Sequence, residues 1–328
     1  MPFLISLLTV IATAGTQTTP SAPIAATPTP RDALLSRVVV LGASVSDGFG
    51  LEGELEVPAS FSVFLDAAWT IPHAPATSYA SGRFFMDPVT EGARQRDAAL
   101  VDEVSLLCAV DYLFWFGYGV QASPEARLAR LEKGLAMLDE IGGPMLVGDF
   151  PDMRPALAGK GLFGGPMISP AQIPAAETLV QLNARVDAWA KERPHVIRVP
   201  LAFFVTRLQS HEALEVRGQK WSPKDSERLL QEDLLHATLE GTSALTILVM
   251  DVLERGRDEI AATDVQWKAT EIVSGVQAAT EGARVKKREK AAKRVERMRK
   301  LEERKREREA EKQKQDQVED TQGERNAA

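Results

Sequence analysis

The chain has 328 residues, of which 44% are hydrophobic, and it can bury one sizeable core with appendages. The single cysteine, Cys108, excludes an intrachain disulfide, and the absence of a Cys/His cluster argues against a structural zinc site. The net charge of −7 is unevenly distributed, because residues 284–325 hold 17 Lys and Arg against 11 Asp and Glu. That segment is basic and the remainder is strongly acidic, so each part has to be interpreted separately.

The first residues have the pattern of a targeting leader followed by a linker. "MPFLISLLTVIATAG" is a short apolar run that ends in the A-x-A pattern Ala12-Thr13-Ala14. It predicts a secretory signal peptide over residues 1–14 and an exported protein, periplasmic or extracellular. No Lys or Arg precedes the run, which leaves a buried N-terminal helix as the alternative. Residues 15–33, rich in Thr, Pro and Ala, are predicted to form an extended linker.

Residues 34–260 alternate between strand-like and helix-like segments, which indicates an α/β domain with a mostly parallel sheet. The predicted strands are Val38–Leu41, Thr77–Tyr79, Tyr112–Phe116, Met145–Val147 and His195–Val199. The predicted helices are Ala59–Trp69, Ala93–Leu107, Pro124–Ile141, Ala175–Lys191 and a last one from Thr242. Ligands of such sheets bind outside the carboxyl ends of the strands.

Residues 261–328 are predicted to form a charged helical or disordered tail. Val285, Val295, Met298 and Leu301 make only a short apolar stripe, less than a convincing coiled coil needs. Many Glu and Arg/Lys pairs at helical spacing favour a solvated single helix. Contact with an anionic surface and self-association through a coiled coil are the alternatives, and export disfavours nucleic acid as the partner.

A lone hydroxyl follows the first predicted strand. Val38–Leu41 is a buried-strand pattern, and Gly42, Ala43 and Ser44 break it sharply. Serine in that place is either a helix cap or a nucleophile at the carboxyl end of the sheet.

A second pattern favours the nucleophile. In "QEDLLHATLEG", Asp233 and His236 lie close together in the sequence, just before the last predicted helix. A serine hydroxyl needs a base to take its proton, and the base needs a group that orients it. The chain order Ser44, Asp233, His236 suits a site assembled from opposite ends of one sheet.

These patterns resemble those of the SGNH hydrolases of the GDSL esterase/lipase superfamily. The turn "LGASVSDG" is similar to the first block of that family, with Ala43 in place of its Asp, and Asp233-Leu234-Leu235-His236 matches the last block. The resemblance covers roughly residues 37–253. It implies a three-layer α/β/α, flavodoxin-like fold, a nucleophilic Ser44 and a base His236 oriented by Asp233.

The resemblance also implies an oxyanion hole built from backbone N–H groups. Ser44 and Gly82, the latter in "SYASGRFF", would supply two of them. The third block of the family is a Gly-x-Asn-Asp stretch after a strand, and its Asn donates to the oxyanion. Placed against "YLFWFGYGVQ", this block puts Gly119 where the amide should be. The backbone N–H of Gly119 is then expected in the oxyanion hole, with the Tyr118 hydroxyl or an ordered water as the alternatives. Losing one such donor typically costs about 100- to 1,000-fold in turnover.

Two functions follow. The first is hydrolysis of an acyl or acetyl ester of a small molecule, carbohydrate or lipid through an acyl-serine, with no metal and no organic cofactor. The second is a weakened or inactive SGNH-fold binding module of the cell envelope. The loops expected to shape the pocket, 51–57 and 159–170, carry no specificity signature. Three further histidines are assigned no catalytic role: His73, His195 and His211. Asp149 and Asp152 are also assigned none, although they are expected to line the same cleft.

Overall fold

The structure is a computed structural model that describes residues 29–161 and 163–327. The predicted signal peptide, residues 1–14, and most of the predicted linker, residues 15–33, lie outside the described residues. Within the described part of the chain, no helix combines the length and the apolar character needed to cross a membrane.

The described elements alternate along the chain as the sequence predicts. The strands are β1 Val38–Val40, β2 Thr77–Ser78, β3 Leu106–Ala109, β4 Met145–Gly148, β5 Val196–Val199, β6 Leu214–Val216 and β7 Gln219–Trp221. The helices are α1 Pro30–Leu34, α2 Ser44–Asp47, α3 Glu52–Leu55, α4 Phe61–Ala68, α5 Pro88–Val101, α6 Phe114–Gly117, α7 Pro124–Ile141, α8 Ala176–Lys191, α9 Leu201–Gln209, α10 Pro223–Ser226, α11 Leu239–Gly256 and α12 Ala269–Ala327.

Five strands form one parallel sheet in the order β2-β1-β3-β4-β5. After β1 the chain adds β2 on one side and then β3 on the other, so the strand order reverses between β1 and β3. A crevice at the carboxyl ends of the strands opens at such a switch point. This crevice lies where β1 leads into Ser44 and β3 leads into Asp111. The remaining two strands, β6 and β7, form a separate antiparallel hairpin.

Helices cover both faces of the sheet, which confirms the predicted three-layer α/β/α architecture. On one face α4, α11 and the first turns of α12 pack together. On the other face α5, α7 and α8 pack in sequence. The core-facing helix α11 is buried along almost its whole length, as expected for a helix between the sheet and α12.

The predicted strand Tyr112–Phe116 is wrong, and the third strand lies earlier, at Leu106–Ala109. The predicted helix Ala93–Leu107 includes the first two residues of this strand, but α5 ends at Val101. The chain leaves α5 through Glu103, which has a left-handed φ of 49° without being glycine. Since no Gly or Pro marks this turn, the pattern gave no signal for the end of the helix.

The aromatic residues after β3 pack between helices and do not form a strand of the sheet. Tyr112 and Phe116 pack edge-on against Phe84, with ring centroids 5.4 and 5.8 Å away. Alternating aromatic residues favour a strand by composition. Here they fill the space between a four-residue helix, α6, and its neighbours α5 and α7.

The charged C-terminal segment begins with residues that belong to the domain core. Ile272 and Val276 on α12 are fully buried, and Gly275 lies against Ala67 of α4. Farther along, Arg288 forms a bidentate pair with Glu56. The predicted apolar stripe is exposed along the helix: Val285, Val295, Met298 and Leu301. The first turns of α12 therefore complete the fold, and the later turns project from it.

Candidate active site

Ser44 lies at the point where β1 leaves the sheet and α2 begins. The turn before it is tight, because a Cβ on Gly42 would come within 2.0 Å of Asp111 Oδ1 and 2.4 Å of Ser46 Oγ. Only glycine fits there without a displacement. The turn leaves Ser44 half-buried at the carboxyl end of the central strands, the place predicted from the sequence.

The loop before α11 brings His236 to Ser44. The Nε2 atom of His236 lies 2.9 Å from Ser44 Oγ, although the two residues are 192 positions apart. The Nδ1 atom of the same ring lies 2.6 Å from Asp233 Oδ2. The structure therefore brings Ser44, His236 and Asp233 together in one line of hydrogen bonds.

The line has one direction of proton donation. A carboxylate can only accept, so His236 Nδ1–H donates to Asp233 Oδ2, and the bare Nε2 accepts from the hydroxyl of Ser44. The other oxygen of Asp233 accepts the backbone N–H groups of Leu235 and His236, each at 2.9 Å. Burial raises the pKa of Asp233, but the bonds from the imidazole and the two N–H groups outweigh it and lower that pKa below its ordinary value. Asp233 is thus ionised and fixed in place.

The geometry of this loop differs from a helical turn. Leu234, between Asp233 and His236, has a left-handed φ of 54°. Its carbonyl accepts a hydrogen bond from Gln209 Nε2 of α9 at 3.0 Å. This reversal allows one carboxylate to bond both the backbone and the ring of His236.

Gln231 joins the His236 loop to the Ser44 loop, a role that the sequence analysis missed. Its Nε2 donates to the carbonyl of Phe49, just after α2, and to that of Ala237, both at 2.8 Å. The ring of Phe49 packs on His236 with centroids 4.4 Å apart. Gly50 has a φ of 81°, and a Cβ there would collide with Gln231 Oε1 at 2.1 Å. These contacts hold the Ser44 loop and the His236 loop against each other.

Asp111 occupies the other side of Ser44. It is fully buried, and its Oδ1 accepts from the N–H of Ala43 at 3.0 Å and from Ser46 Oγ at 2.5 Å. Its Oδ2 accepts the N–H groups of Val45 and Ser46 at 2.9 and 3.3 Å. Asp111 therefore caps the amino end of α2 from a different strand. Burial is the largest influence on Asp111 and raises its pKa, against the lowering effect of these bonds.

The two glycines predicted to line an oxyanion hole have their N–H groups engaged. Gly82 N–H donates to Asp47 Oδ2 at 2.9 Å. Asp47 lies on α2, three residues after Ser44. Gly119 N–H donates to the carbonyl of Gln172 at 2.9 Å, and Gly119 does not line the cavity beside Ser44. The prediction that Gly119 stands in the place of an oxyanion amide is contradicted, because it rested on the misplaced third strand.

The corrected strand shows which residue follows it. After β3 comes Val110-Asp111-Tyr112, so the acidic Asp111 takes the place in the crevice where the family pattern has an amide. A signal was present in the sequence: Asp111 directly follows an apolar run, "LLCAV". That run is a buried strand by composition, and it would have placed Asp111 at the carboxyl edge of the sheet.

Two concave regions lie near the Ser44–His236 pair, and Ser44 lines the smaller of them. One is a cavity of about 40 Å³, which is apolar except for Ser44 and Asp111. The other is a groove of about 1300 Å³ that includes Phe49 and Asp233. The loops predicted to shape the pocket, 51–57 and 159–170, both contribute to this groove, through Glu52 and Lys160 among others.

The other polar residues considered from the sequence have structural partners. His73 Nε2 lies 3.3 Å from Asp66. Asp149 Oδ1 accepts the N–H of Ala202 at 2.6 Å and so caps α9. Asp152 pairs with its neighbour Arg154. Neither aspartate lines the cavity or the groove, so the expectation that they share the cleft is wrong.

No protein-family model matches this chain, and no curated protein matches it. Among solved structures, it is similar to the lipase/acylhydrolase from Enterococcus faecalis, at 16% identity and a TM-score of 0.44 over 71% of this chain and 98% of that one. It is also similar to TesA, at 15% identity and a TM-score of 0.42 over 68% of this chain and 100% of that one. Values this low say nothing about the reaction, which has to be argued from the site itself.

Proposed function

We propose that the chain is a serine hydrolase that cleaves an ester through an acyl-serine intermediate. Ser44 Oγ attacks the ester carbonyl as His236 Nε2 takes its proton. The alcohol then leaves with that proton, and the acyl group stays on Ser44. Water, deprotonated by the same imidazole, attacks the acyl-serine and releases the acid. Asp233 keeps Nδ1 protonated throughout and stabilises the imidazolium that forms.

One observation carries this proposal: the line of hydrogen bonds from Ser44 Oγ through His236 to Asp233, at 2.9 and 2.6 Å. A serine that merely capped a helix would not need a buried imidazole aligned on its hydroxyl. An imidazole that was merely structural would not need a buried, ionised aspartate on its far nitrogen. The arrangement therefore supports a nucleophile and base at the carboxyl end of the sheet.

The oxyanion side of the site is less complete. The backbone N–H of Ser44 is the first donor of this proposal. Gly82 N–H becomes the second when Asp47, whose side chain is exposed, rotates away from it. The carboxylate of Asp111 opposes negative charge nearby, although its oxygens are occupied by the N–H groups of α2.

This incomplete side favours a second candidate, a catalytically weakened binding module with the same fold. The carboxylate of Asp47 holds the Gly82 N–H that a developing oxyanion would otherwise use, and the carboxylate of Asp111 lies on the same side of Ser44. In that candidate, the line of hydrogen bonds is retained for structure, and the groove binds a ligand without cleaving it.

Labelling with a fluorophosphonate distinguishes the two. We expect the full chain to be labelled rapidly at Ser44 and to hydrolyse short p-nitrophenyl esters, whereas Ser44→Ala does neither. The matched control is Ser60→Ala, which removes a hydroxyl from a position outside the site. Equal turnover by Ser44→Ala and the parent chain would remove Ser44 from the reaction. A folded parent chain that labels only slowly would favour the binding module.

A further inference from the structure

The cavity beside Ser44 is small and apolar. It measures about 40 Å³, and apart from Ser44 and Asp111 its lining is entirely apolar. One water-sized group needs about 10–15 Å³ of such space. The cavity therefore has room for only about three such groups beyond the serine.

Its walls are fixed rather than adaptable. The ring of Phe114 stacks on Tyr118 at 4.2 Å, with the planes within 10° of parallel. The Tyr118 hydroxyl donates to the carbonyl of Pro151 at 2.5 Å and accepts the N–H of Met153 at 3.2 Å. One buried tyrosine thus ties three wall residues together.

The part of the wall that α9 contributes is also held in place. Leu201 and Val205 of α9 line the cavity and are only 5% and 8% exposed. The first turn of α9 is held by Asp149, which accepts the N–H of Ala202. Met153, which lines the same cavity, is 1% exposed. Close-packed interiors of this kind resist the insertion of further methylene groups.

The position of Ser44 decides which half of an ester faces the cavity. The leaving alcohol takes its proton from His236, so it lies on the imidazole side. Phe49, which packs against that ring, lines the groove, whereas neither Ser44 nor His236 does. Because Ser44 lines the cavity and not the groove, the acyl group that becomes bonded to Ser44 Oγ is the half of the ester that the cavity receives. The carboxyl group of Asp111 in the same lining disfavours an anionic acyl chain.

We infer that the cavity is an acyl-binding site that limits the reaction to esters of short, uncharged acyl groups, of roughly two to four carbons. The inference rests on the proposed function and adds its substrate class. Met153 and Val205 set the length limit, because both side chains line the cavity and both are buried.

The test is a chain-length series on the full protein with p-nitrophenyl acetate, butyrate and octanoate. We expect kcat/KM for acetate and butyrate to exceed that for octanoate by about 100-fold, since each methylene that a pocket rejects is worth roughly 10- to 200-fold. Octanoate hydrolysed as fast as acetate, in a Ser44-dependent manner, would overturn the inference and leave the proposed function intact. Failure of both hydrolysis and fluorophosphonate labelling would overturn both.

Two variants locate the limit in the cavity. Met153→Ala should raise the octanoate-to-acetate ratio by about 10-fold, and Val205→Leu should lower the butyrate-to-acetate ratio by about 5-fold. Met137→Ala, which truncates a buried methionine outside the cavity, is the matched control and should change neither ratio. Because Val205→Leu adds a single methylene, it gives a readout even if Met153→Ala does not fold. Unchanged ratios in a folded variant would overturn the assignment of the cavity.

Discussion

Each side of Ser44 contains a buried aspartate, and the two aspartates have different hydrogen-bond partners. On one side, a buried aspartate and a buried histidine form a line of hydrogen bonds that ends on the serine hydroxyl, at 2.6 and 2.9 Å. On the other side, a buried aspartate, Asp111, turns both of its oxygens to the N–H groups of α2. Both aspartates are buried, yet the pKa of Asp233 is lowered and that of Asp111 is raised.

The difference separates two requirements of an acyl-transfer site. Asp233 accepts a hydrogen bond from His236, whose ring becomes cationic during the reaction, so the negative charge of Asp233 stabilises the imidazolium. Asp111 has only neutral donors, and its bonds hold the turn that presents Ser44. One aspartate therefore serves the proton transfer, and the other serves the position of the nucleophile at a cost in oxyanion stabilisation.

The largest expected effect comes from the proton-transfer side. Asp233→Asn should lower kcat on p-nitrophenyl acetate by about 10⁴-fold with little change in KM, because an amide can stabilise the wrong tautomer of His236. His236→Ala should cost at least as much. His211→Asn, a replacement of an exposed histidine with a left-handed φ of 51°, is the control and should leave kcat unchanged. A loss below tenfold in Asp233→Asn would contradict an orienting role for Asp233.

The next effect is on stability and comes from the nucleophile-positioning side. Asp111→Ala strands the N–H groups of α2 in a buried place, so we expect the free energy of unfolding to fall by about 3 kcal/mol. Asp87→Ala, which removes an exposed cap at the start of α5, should cost only about 1 kcal/mol. Urea unfolding of the two variants makes the comparison. Equal losses would mean that Asp111 is not what holds the turn.

The pH dependence of stability should have opposite signs at the two aspartates. The pKa of Asp233 is lowered, so its stabilising contribution is present above the ordinary value of about 3.9 and is lost as pH falls through the folded value. The pKa of Asp111 is raised, so its contribution is present below about 3.9 and is lost as pH rises through the folded value.

Urea unfolding at a series of pH values measures these contributions. At each pH the free energy of unfolding of the parent chain is compared with that of each variant. The stability advantage of the parent over Asp233→Asn should shrink on acidification. Its advantage over Asp111→Asn should shrink as pH rises above about 4. Advantages that changed in the same direction would refute the contrast between the two carboxylates.

The same contrast explains which parts of the site the sequence could predict. Ser44 and the Asp233–His236 pair were found because each lies beside a local signal, a broken strand and a spaced acid–imidazole motif. Asp111 was missed because its place depends on where β3 ends, and the turn at Glu103 lacks the glycine that would have marked it. Four of the five strands of the parallel sheet and most of its covering helices follow from the sequence pattern. The partners of Gly82 and Gly119 depend instead on tertiary contacts between distant loops.

The smallest expected effect comes from Asp47, the one group on the oxyanion side that is free to move. Its exposed carboxylate accepts Gly82 N–H, and an exposed hydrogen bond is worth about 0.5–1.5 kcal/mol. Asp47→Ala should therefore free this donor and raise kcat on p-nitrophenyl acetate by about 2- to 10-fold. Asp47→Asn keeps an acceptor for the same N–H without the charge, so it should gain less. If Asp47→Ala slowed the reaction instead, Gly82 would not be an oxyanion donor, and Ser44 N–H would act without it.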